Sequence, residues 1–440
     1  MNVLLVIIDC LRADRLASAE RLAPNLHRLA EGSFRFPQAF TSGPYTKAAM
    51  PGLLYSAYYS AFLARRGRPG FRSLVQAMRE GGYATMAVQT NAFMSSDFGW
   101  GRGFDYYDES ILPWLRLTPR AILERQISAR RGQERLRGVA ERSLLYLLYC
   151  KGAADCRTVN RKFRALLRRA FRPRQRHFAL LHYMDLHEPV VLPRAWRKGL
   201  PPLHPHRLSE RAHSDPGALS AQEWGFLAGS YDAALGLVDA ELGKLLDEPQ
   251  VRAFLEEAVL IITSDHGEEL GEHGCFGHAT RFYDQLLRVP LIIRLPGQSR
   301  GRALEAMVCH LDLGPTLLEA CGLPPQSGFA GQSLVGLLEG RSSLEDRALV
   351  AEALVGGRQW TYCVRTRRHK LIEAARELYD LEADPAETLN LYGSEPGLVS
   401  RLGEVIAAHR DQAAGQEAAV EDELANGRLR DRLRGLGYVD

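Results

Sequence analysis

With 440 residues, 46% of them hydrophobic and 25% charged, the chain has the length of one large domain plus a smaller one, and a composition that excludes disordered, collagen-like and low-complexity classes. No apolar run reaches the roughly 20 residues of a membrane-spanning helix, and seven scattered cysteines without disulfide or metal-type spacing point to a reducing compartment. The formal charge of +4 conceals an asymmetry: residues 111–176 hold 18 Lys/Arg against 4 Asp/Glu, which leaves the remainder acidic.

Residues 3–8 form an unbroken apolar run, the pattern of a parallel strand buried on both faces. Asp9 stands at its carboxyl end, where such sheets place ligands. No basic residue precedes the run, and Asp9, Arg12 and Asp14 follow at once, so the stretch is a first core strand instead of a signal peptide. The expected location is cytoplasmic. Residues 24–31 have the spacing of a short helix with Leu26, Leu29 and Ala30 inward, and residues 34–40 form an extended piece. A turn-rich loop at 41–47 then delivers Thr46 to the start of a helix. The helix dipole and free N–H groups there favour an anion. Thr46 is either an N-cap or the mount of a nucleophile, and the two roles can coexist.

Residues 71–80 are helical in period, and residues 83–89 form a strand with Asn91 at its end. Within the basic stretch, Val159, Phe163, Leu166, Leu167 and Ala170 make one apolar stripe with arginines elsewhere. The strand at 178–184 ends in Asp185-Leu186-His187-Glu188-Pro189, where the proline forces the chain out of regular structure. Residues 193–217, rich in Pro, His and Arg, suggest a loop that covers a site. A long helical pattern spans 224–246. The β-branched run at 259–263 then leads into Ser264-Asp265-His266-Gly267-Glu268, with His273 and His278 beyond. A carboxylate beside an imidazole at a strand end, with more imidazoles near, is what a divalent metal and an oxyanion need. Past residue 340 short strands and a polar helix indicate a change of architecture. The division expected is a catalytic domain at 1–340, with a basic helical insertion at 111–176, and a C-terminal α+β subdomain at 341–440.

These stretches, taken in order, resemble a known group. Ile8-Asp9-Cys10-Leu11-Arg12-Ala13-Asp14, the segment from Thr46 to Ser56, Gly82-Tyr83-Ala84-Thr85, His182 to Pro189, Thr263 to Glu268, Glu272-His273-Gly274, Arg288 to Ile292, and Glu377 to Leu381 are similar to the sulfatase family of the alkaline phosphatase superfamily, nearly end to end. The resemblance implies an α/β fold: a mixed, mostly parallel sheet between helices, with a smaller C-terminal antiparallel sheet. It also implies hydrolysis or transfer of a phosphate or sulfate ester through a covalent intermediate. Carried over by position, Asp9, Asp265 and His266 are metal ligands, and Thr46 is both ligand and nucleophile. His187 and His278 hold the oxyanion and assist the leaving group. Lys47, Arg12 and Asn91 are expected on the substrate side.

Two departures shape the chemistry. Cys10 stands where many members have a second carboxylate, which leaves Ca, Mg, Mn and Zn all open as the divalent ion. The stretch Thr46-Lys47-Ala48-Ala49-Met50 lacks the proline and arginine of the formylglycine motif, and threonine cannot yield that aldehyde, so no formylglycine is expected. Threonine here resembles the phosphotransferase and phosphodiesterase branches, so an anionic phosphate ester is the expected substrate. A sulfatase without formylglycine is the alternative, and a non-catalytic binding protein of the same fold is the third reading. The basic stretch either solvates its helices or meets an anionic lipid surface, with residues 143–149 as an interfacial helix. No nucleic acid is expected, since no aromatic-basic interleaving appears.

Overall fold

The computed structural model describes residues 1–17, 19–68, 70–109, 155–172 and 174–413. Strand β1 (Asn2–Ile8) lies inside an eight-stranded sheet. On one side it pairs in parallel with β6 (His177–Tyr183), followed by β4 (Ala84–Val88) and β5 (Tyr106–Asp108), all parallel. On the other side it pairs in parallel with β7 (Ala258–Thr263). There the direction changes: β10 (Leu291–Arg294) is antiparallel to β7, β2 (Phe34–Arg35) antiparallel to β10, and β11 (Arg302–Ala303) parallel to β2 at the edge. The sheet is mixed and mostly parallel.

The unbroken apolar runs are explained by two cores. Val3, Leu5 and Ile7 enter one core with Leu53 and Leu74, both helical, and with Leu317 of the Leu313–Ala320 helix. Leu4, Val6 and Ile8 enter the other with Val159 and Phe163 of the Cys156–Ala170 helix, and with Tyr231 and Leu235 of the Ala221–Asp247 helix. A strand covered on both faces has no polar side, so alternation vanishes. Each fully buried Leu or Ile contributes about 1.5–3 kcal/mol over an exposed one.

Two short strand pairs flank the sheet: β3 (Ala39–Phe40) with β12 (Val308–Cys309), and β8 (Glu269–Leu270) with β9 (Phe276–Gly277). The extended piece expected at 34–40 is therefore two strands, β2 and β3. Pro37 lies between them and has no N–H to continue a ladder. The C-terminal sheet is an antiparallel meander of β13 (Leu349–Val355), β14 (Gln359–Arg365), β15 (His369–Ile372) and β16 (Glu377–Asp380), covered by Leu402 and Ile406 of the Pro396–Ala413 helix. The expected boundary at 340/341 falls in the connection between the Val335–Leu338 helix and β13.

Residues 193–217 are not a continuous loop. They contain the Pro205–Ser214 helix, which Pro205 opens at a first-turn position where no N–H is needed, with His204 as its cap. Leu208 and Ala212 of this helix pack on Phe226 and Phe276. Residues 143–149, the interfacial helix expected from the sequence, lie outside the described residues, as does most of 111–176. Among the described residues no helix is long and apolar enough to cross a membrane, and the six cysteines there are free thiols.

Candidate active site

Because β4, β6, β1 and β7 are parallel, their carboxyl ends open on one side. Asn91, His187, Asp9 and Asp265-His266 follow those four ends. Thr46 comes from elsewhere, as the first residue of the Thr46–Tyr55 helix. It does not cap that helix, since the cap position is Tyr45. Its Oγ1 instead lies 3.3 Å from His266 Nε2 and accepts from Asn91 Nδ2 at 3.4 Å. The Asn91 amide also donates to Asp9 Oδ2 at 2.9 Å, and its own Oδ1 accepts from the Phe93 N–H, which fixes the NH2 toward the site.

The turn after β1 is under backbone strain. Cys10 has φ of 62°, a left-handed conformation that costs a non-glycine residue about 1–3 kcal/mol. The Tyr231 hydroxyl donates to the Cys10 carbonyl at 2.7 Å and accepts from the Arg12 N–H at 3.0 Å. Ser264 Oγ accepts from the Leu11 N–H at 2.8 Å and donates to the Ile8 carbonyl at 2.7 Å. Held this way, the Cys10 thiol points into the cluster and donates to Asp9 Oδ1 at 3.0 Å. Gly267 follows His266 because nothing larger fits: a Cβ there would sit 1.9 Å from the Gln285 carbonyl oxygen.

Asp9, Asp265 and His266 are fully buried, and their ligand atoms lie within 4.8 Å of one another. His266 Nε2 is 3.8 Å from Asp9 Oδ1 and 3.4 Å from Asp265 Oδ2, while its Nδ1–H donates to the Gly267 carbonyl at 2.8 Å. That backbone bond leaves the Nε2 lone pair facing the carboxylates. Burial pushes the Asp9 carboxyl up, but the facing imidazoles of His187, His266 and His182 hold it well below the usual carboxylate range. Asp265 Oδ2 is buried without a hydrogen-bond partner. Two buried carboxylates, one of them with an orphaned oxygen and an imidazole lone pair between them, suit a divalent cation.

His187 and His278 flank this cluster. Their rings meet edge to face with centroids 4.8 Å apart, and the His278 ring lies 4.4 Å from that of His266. His187 Nδ1 is fixed by the Glu188 carbonyl at 2.5 Å. Burial pushes the His278 imidazole down, but the Glu268 carboxylate, 3.3 Å from Nδ1, raises it to about 9.

Two residues expected on the substrate side have protein partners of their own. Arg12 is 4% exposed and fully engaged: it forks onto Asp14 at 2.8 and 2.9 Å, pairs with Glu272 at 2.8 Å, and donates to the Glu268 carbonyl at 3.0 Å. It braces the turn and the Glu268 segment instead of facing the cluster. The Lys47 ammonium lies over the Phe93 ring, 4.4 Å from its centroid.

The structure adds groups to which the sequence reading gave no role. Glu268 is the partner of His278, and its place two residues past Asp265-His266 was the signal. His182 Nε2 lies 3.6 Å from Asp9 Oδ2 in a fully buried position, and a histidine near the carboxyl end of the mostly apolar β6 was the visible trace. His213 had no local signal. It comes from the Pro205–Ser214 helix to meet Glu188 at 2.8 Å, over Gly277 (φ 77°), where a Cβ would sit 2.5 Å from its ring. Burial raises Glu188, but the His213 hydrogen bond and charge pull it down to about 2. A cleft of about 600 Å³ lined by Asn25, Arg28, Asp239, Arg252 and Arg294 opens beside the amino end of β7, away from all these groups.

Fold and site together define an alkaline-phosphatase-like α/β protein whose polar cluster lies at the carboxyl edge of its parallel strands. The chain belongs to the sulfatase family: the family described as Sulfatase matches residues 1–323, and that described as N-sulphoglucosamine sulphohydrolase, C-terminal, matches residues 271–411. Among curated proteins it is 34% identical over 180 residues to an N-acetylglucosamine-6-O-sulfatase of Bacteroides thetaiotaomicron, covering 37% of this chain and 31% of that one. It is 29% identical over 220 residues to a choline-sulfatase of Rhizobium meliloti, covering 48% and 42%. The chain thus spans less than half the length of these relatives. Among solved structures it is similar to a phosphonate monoester hydrolase from Silicibacter pomeroyi, with TM-score 0.70 and 23% identity over 94% of this chain and 95% of that one. It is also similar to the phosphonate monoester hydrolase of Agrobacterium radiobacter, with TM-score 0.68 and 20% identity over 94% and 96%. At such identities the likeness carries the fold.

Proposed function

We propose that the chain is a metal-dependent enzyme that cleaves phosphate esters through a covalent intermediate on Thr46, with water or an alcohol as the final acceptor. The observation that carries this reading is Thr46 Oγ1, placed at a helix start between His266 Nε2 and Asn91 Nδ2 and not spent on capping. Asp9, Asp265 and His266 would hold the cation, with the Thr46 hydroxyl beside them. Bound there, a dication lowers the pKa of that hydroxyl and neutralises charge on the phosphoryl oxygens.

The protein's own groups then act in two halves. Thr46 loses its hydroxyl proton to solvent, its Oγ1 bonds to phosphorus, and the bond from phosphorus to the ester oxygen breaks. The His187–His278 pair gives the departing alkoxide its proton. In the second half the incoming oxygen gives its proton back to the pair and displaces Oγ1, which is reprotonated. Asn91 Nδ2 holds Oγ1 and Asp9 in register throughout, and the start of the Thr46–Tyr55 helix favours the phosphoryl anion.

Sulfate ester cleavage is the second reading, favoured by the printed names of the curated relatives. Threonine supports the phosphoryl reading over it, because its Cβ methyl blocks oxidation to formylglycine. A panel of chromogenic phosphate monoesters, phosphate diesters, phosphonate monoesters and sulfate monoesters, run on wild type and Thr46→Ala, tests both. Phosphate or phosphonate turnover lost in the variant supports the proposal. Turnover confined to sulfate esters refutes it.

A further inference from the structure

We infer that Tyr45 is a positioning residue for Thr46, and that the C-terminal sheet sets the place of the nucleophile through it. The inference rests on the reading of Thr46 as nucleophile and adds what aims it.

Thr46 takes its aim from its backbone. The two contacts of its Oγ1, 3.3 Å to His266 Nε2 and 3.4 Å to Asn91 Nδ2, are longer than ordinary hydrogen bonds and hold it loosely. The residue before it is the hinge between loop and helix: the Tyr45 carbonyl accepts from the Ala48 and Ala49 N–H groups at 2.9 and 3.0 Å and so starts the Thr46–Tyr55 helix. That position ordinarily carries Ser, Thr, Asp or Asn, whose short oxygens cap the helix. The Tyr45 side chain makes no such cap. Its hydroxyl instead reaches β13, where it accepts from the Leu354 N–H at 2.8 Å and donates to the Leu354 carbonyl at 3.4 Å.

β13 can receive it because it is an edge strand. Antiparallel pairing with β14 leaves the N–H and C=O of alternate residues pointing away from the sheet. Glu352 and Leu354, two residues apart, turn theirs toward the nucleophile loop: the Glu352 N–H donates to the Ser42 carbonyl at 3.0 Å, and Leu354 holds Tyr45. Residues 42–45 are thereby docked on β13 at both ends. Gly43 lets the loop pass, since a Cβ there would lie 2.3 Å from Ala48 Cβ and 3.0 Å from the Glu352 carbonyl oxygen. The same strand grips the next helix. The fully buried Glu352 carboxylate accepts from the Ser60 N–H at 2.5 Å and from the Ser60 hydroxyl at 3.0 Å, at the start of the Tyr59–Arg65 helix. The Tyr45 ring meets that of Tyr59 edge-on with centroids 6.3 Å apart, and Tyr59 meets Trp360 of β14 at 5.7 Å. Through one hydroxyl and one ring, the start of the nucleophile helix is tied to a sheet that lends no residue to the cluster itself.

Full-length, metal-loaded wild type, Tyr45→Phe, Tyr283→Phe and Thr46→Ala are compared in steady-state and single-turnover kinetics on the chromogenic ester that wild type turns over fastest, with circular dichroism and thermal unfolding as folding controls. Tyr283→Phe is the matched control. It too removes one hydroxyl that links the large domain to the C-terminal sheet, since Tyr283 donates to Glu377 Oε2 at 3.1 Å, but it lies far along the chain from Thr46. Tyr45→Phe is expected to lower kcat and the first-turnover rate about 10-fold or more, with KM shifted less than about 2-fold, the mark of a misplaced reacting group. Tyr283→Phe is expected to keep the wild-type kcat. Equal kcat in the two tyrosine variants, whether both unchanged or both lowered, overturns the role of Tyr45 and leaves Thr46 as the nucleophile. So does a Tyr45→Phe variant whose KM rises while kcat stays. A Thr46→Ala variant as active as wild type overturns the nucleophile reading and this inference with it.

Discussion

Two pairs of carboxylates in the molecule are treated in opposite ways. Between the large sheet and the C-terminal one, Asp284 and Glu387 meet two fixed cations. Fully buried Lys370 donates to Asp284 Oδ1 at 2.5 Å, Glu387 Oε1 at 2.6 Å and the Phe282 carbonyl at 3.0 Å, and Arg365 donates to Asp284 Oδ2 at 3.0 Å. Burial pushes Asp284 up, and Lys370 and Arg365 more than reverse it. At the carboxyl edge of the large sheet, Asp9 and Asp265 are more deeply buried than Asp284, yet the partners within reach are imidazoles, and one oxygen has no partner. Two charges met by two charges make a rivet. Two charges met by imidazole rings, with no fixed cation between them, make a receptor for a dication.

The contrast can be broken by substitution. The largest effect expected is on chemistry: Thr46→Ala lowers phosphate-ester turnover by about 10⁴-fold or more, the scale of a lost nucleophile, with little change in thermal stability. Next comes the rivet. Asp284→Asn leaves buried Lys370 and Arg365 short of one charge and costs about 3 kcal/mol in denaturant unfolding. Asp265→Asn, in metal-free protein, removes one of two neighbouring buried carboxylate charges that no fixed cation meets, and is neutral or stabilising. Equal destabilisation by both variants would show that the two clusters do not differ in kind.

Metal addition sharpens the same point. At a free-ion concentration of 100 times Kd, wild type gains about 2.7 kcal/mol in unfolding free energy. Asp265→Asn gains nothing, and Asp284→Asn gains as much as wild type. The smallest effect concerns the Glu188–His213 pair. Its hydrogen bond and charge raise His213 above its ordinary 6.5, while Glu188 falls from 4.5 to about 2. The pair therefore contributes fully between about pH 4.5 and 6.5. Its contribution is lost as pH rises through the raised His213 value, and again on the acid side as pH falls toward 2. Amide exchange in the Pro205–Ser214 helix is expected to quicken on the alkaline side in wild type and to lose that pH dependence in His213→Gln. Because His213 is exposed, the effect is modest.

Much of this architecture can be read from the chain. β1 and β7 announce themselves as apolar runs because both faces of the sheet are covered. Their carboxyl ends carry Asp9 and Asp265-His266 because parallel sheets put ligands there. Thr46 is visible as a helix start. Other features depend on contacts that local sequence does not encode. Arg12 looked free to bind an anion until Asp14, two residues on, and Glu272, distant in sequence, took its guanidinium. The Pro205–Ser214 helix was hidden by its prolines, although Pro205 stands where a helix tolerates one. His213 reaches Glu188 and the Glu268 side only because Gly277 has no Cβ in the way. The thiol of Cys10 could be named from the sequence, but not its aim, which Tyr231 and Ser264 set from other elements.

The most direct measurement is mass spectrometry of the metal-loaded enzyme, quenched by acid during turnover of a chromogenic phosphate ester and mapped by peptide. The expected result is a phosphoryl adduct on Thr46 that forms within the first turnover and disappears when substrate is exhausted. Steady turnover with no adduct on Thr46, together with an active Thr46→Ala variant, would contradict the account.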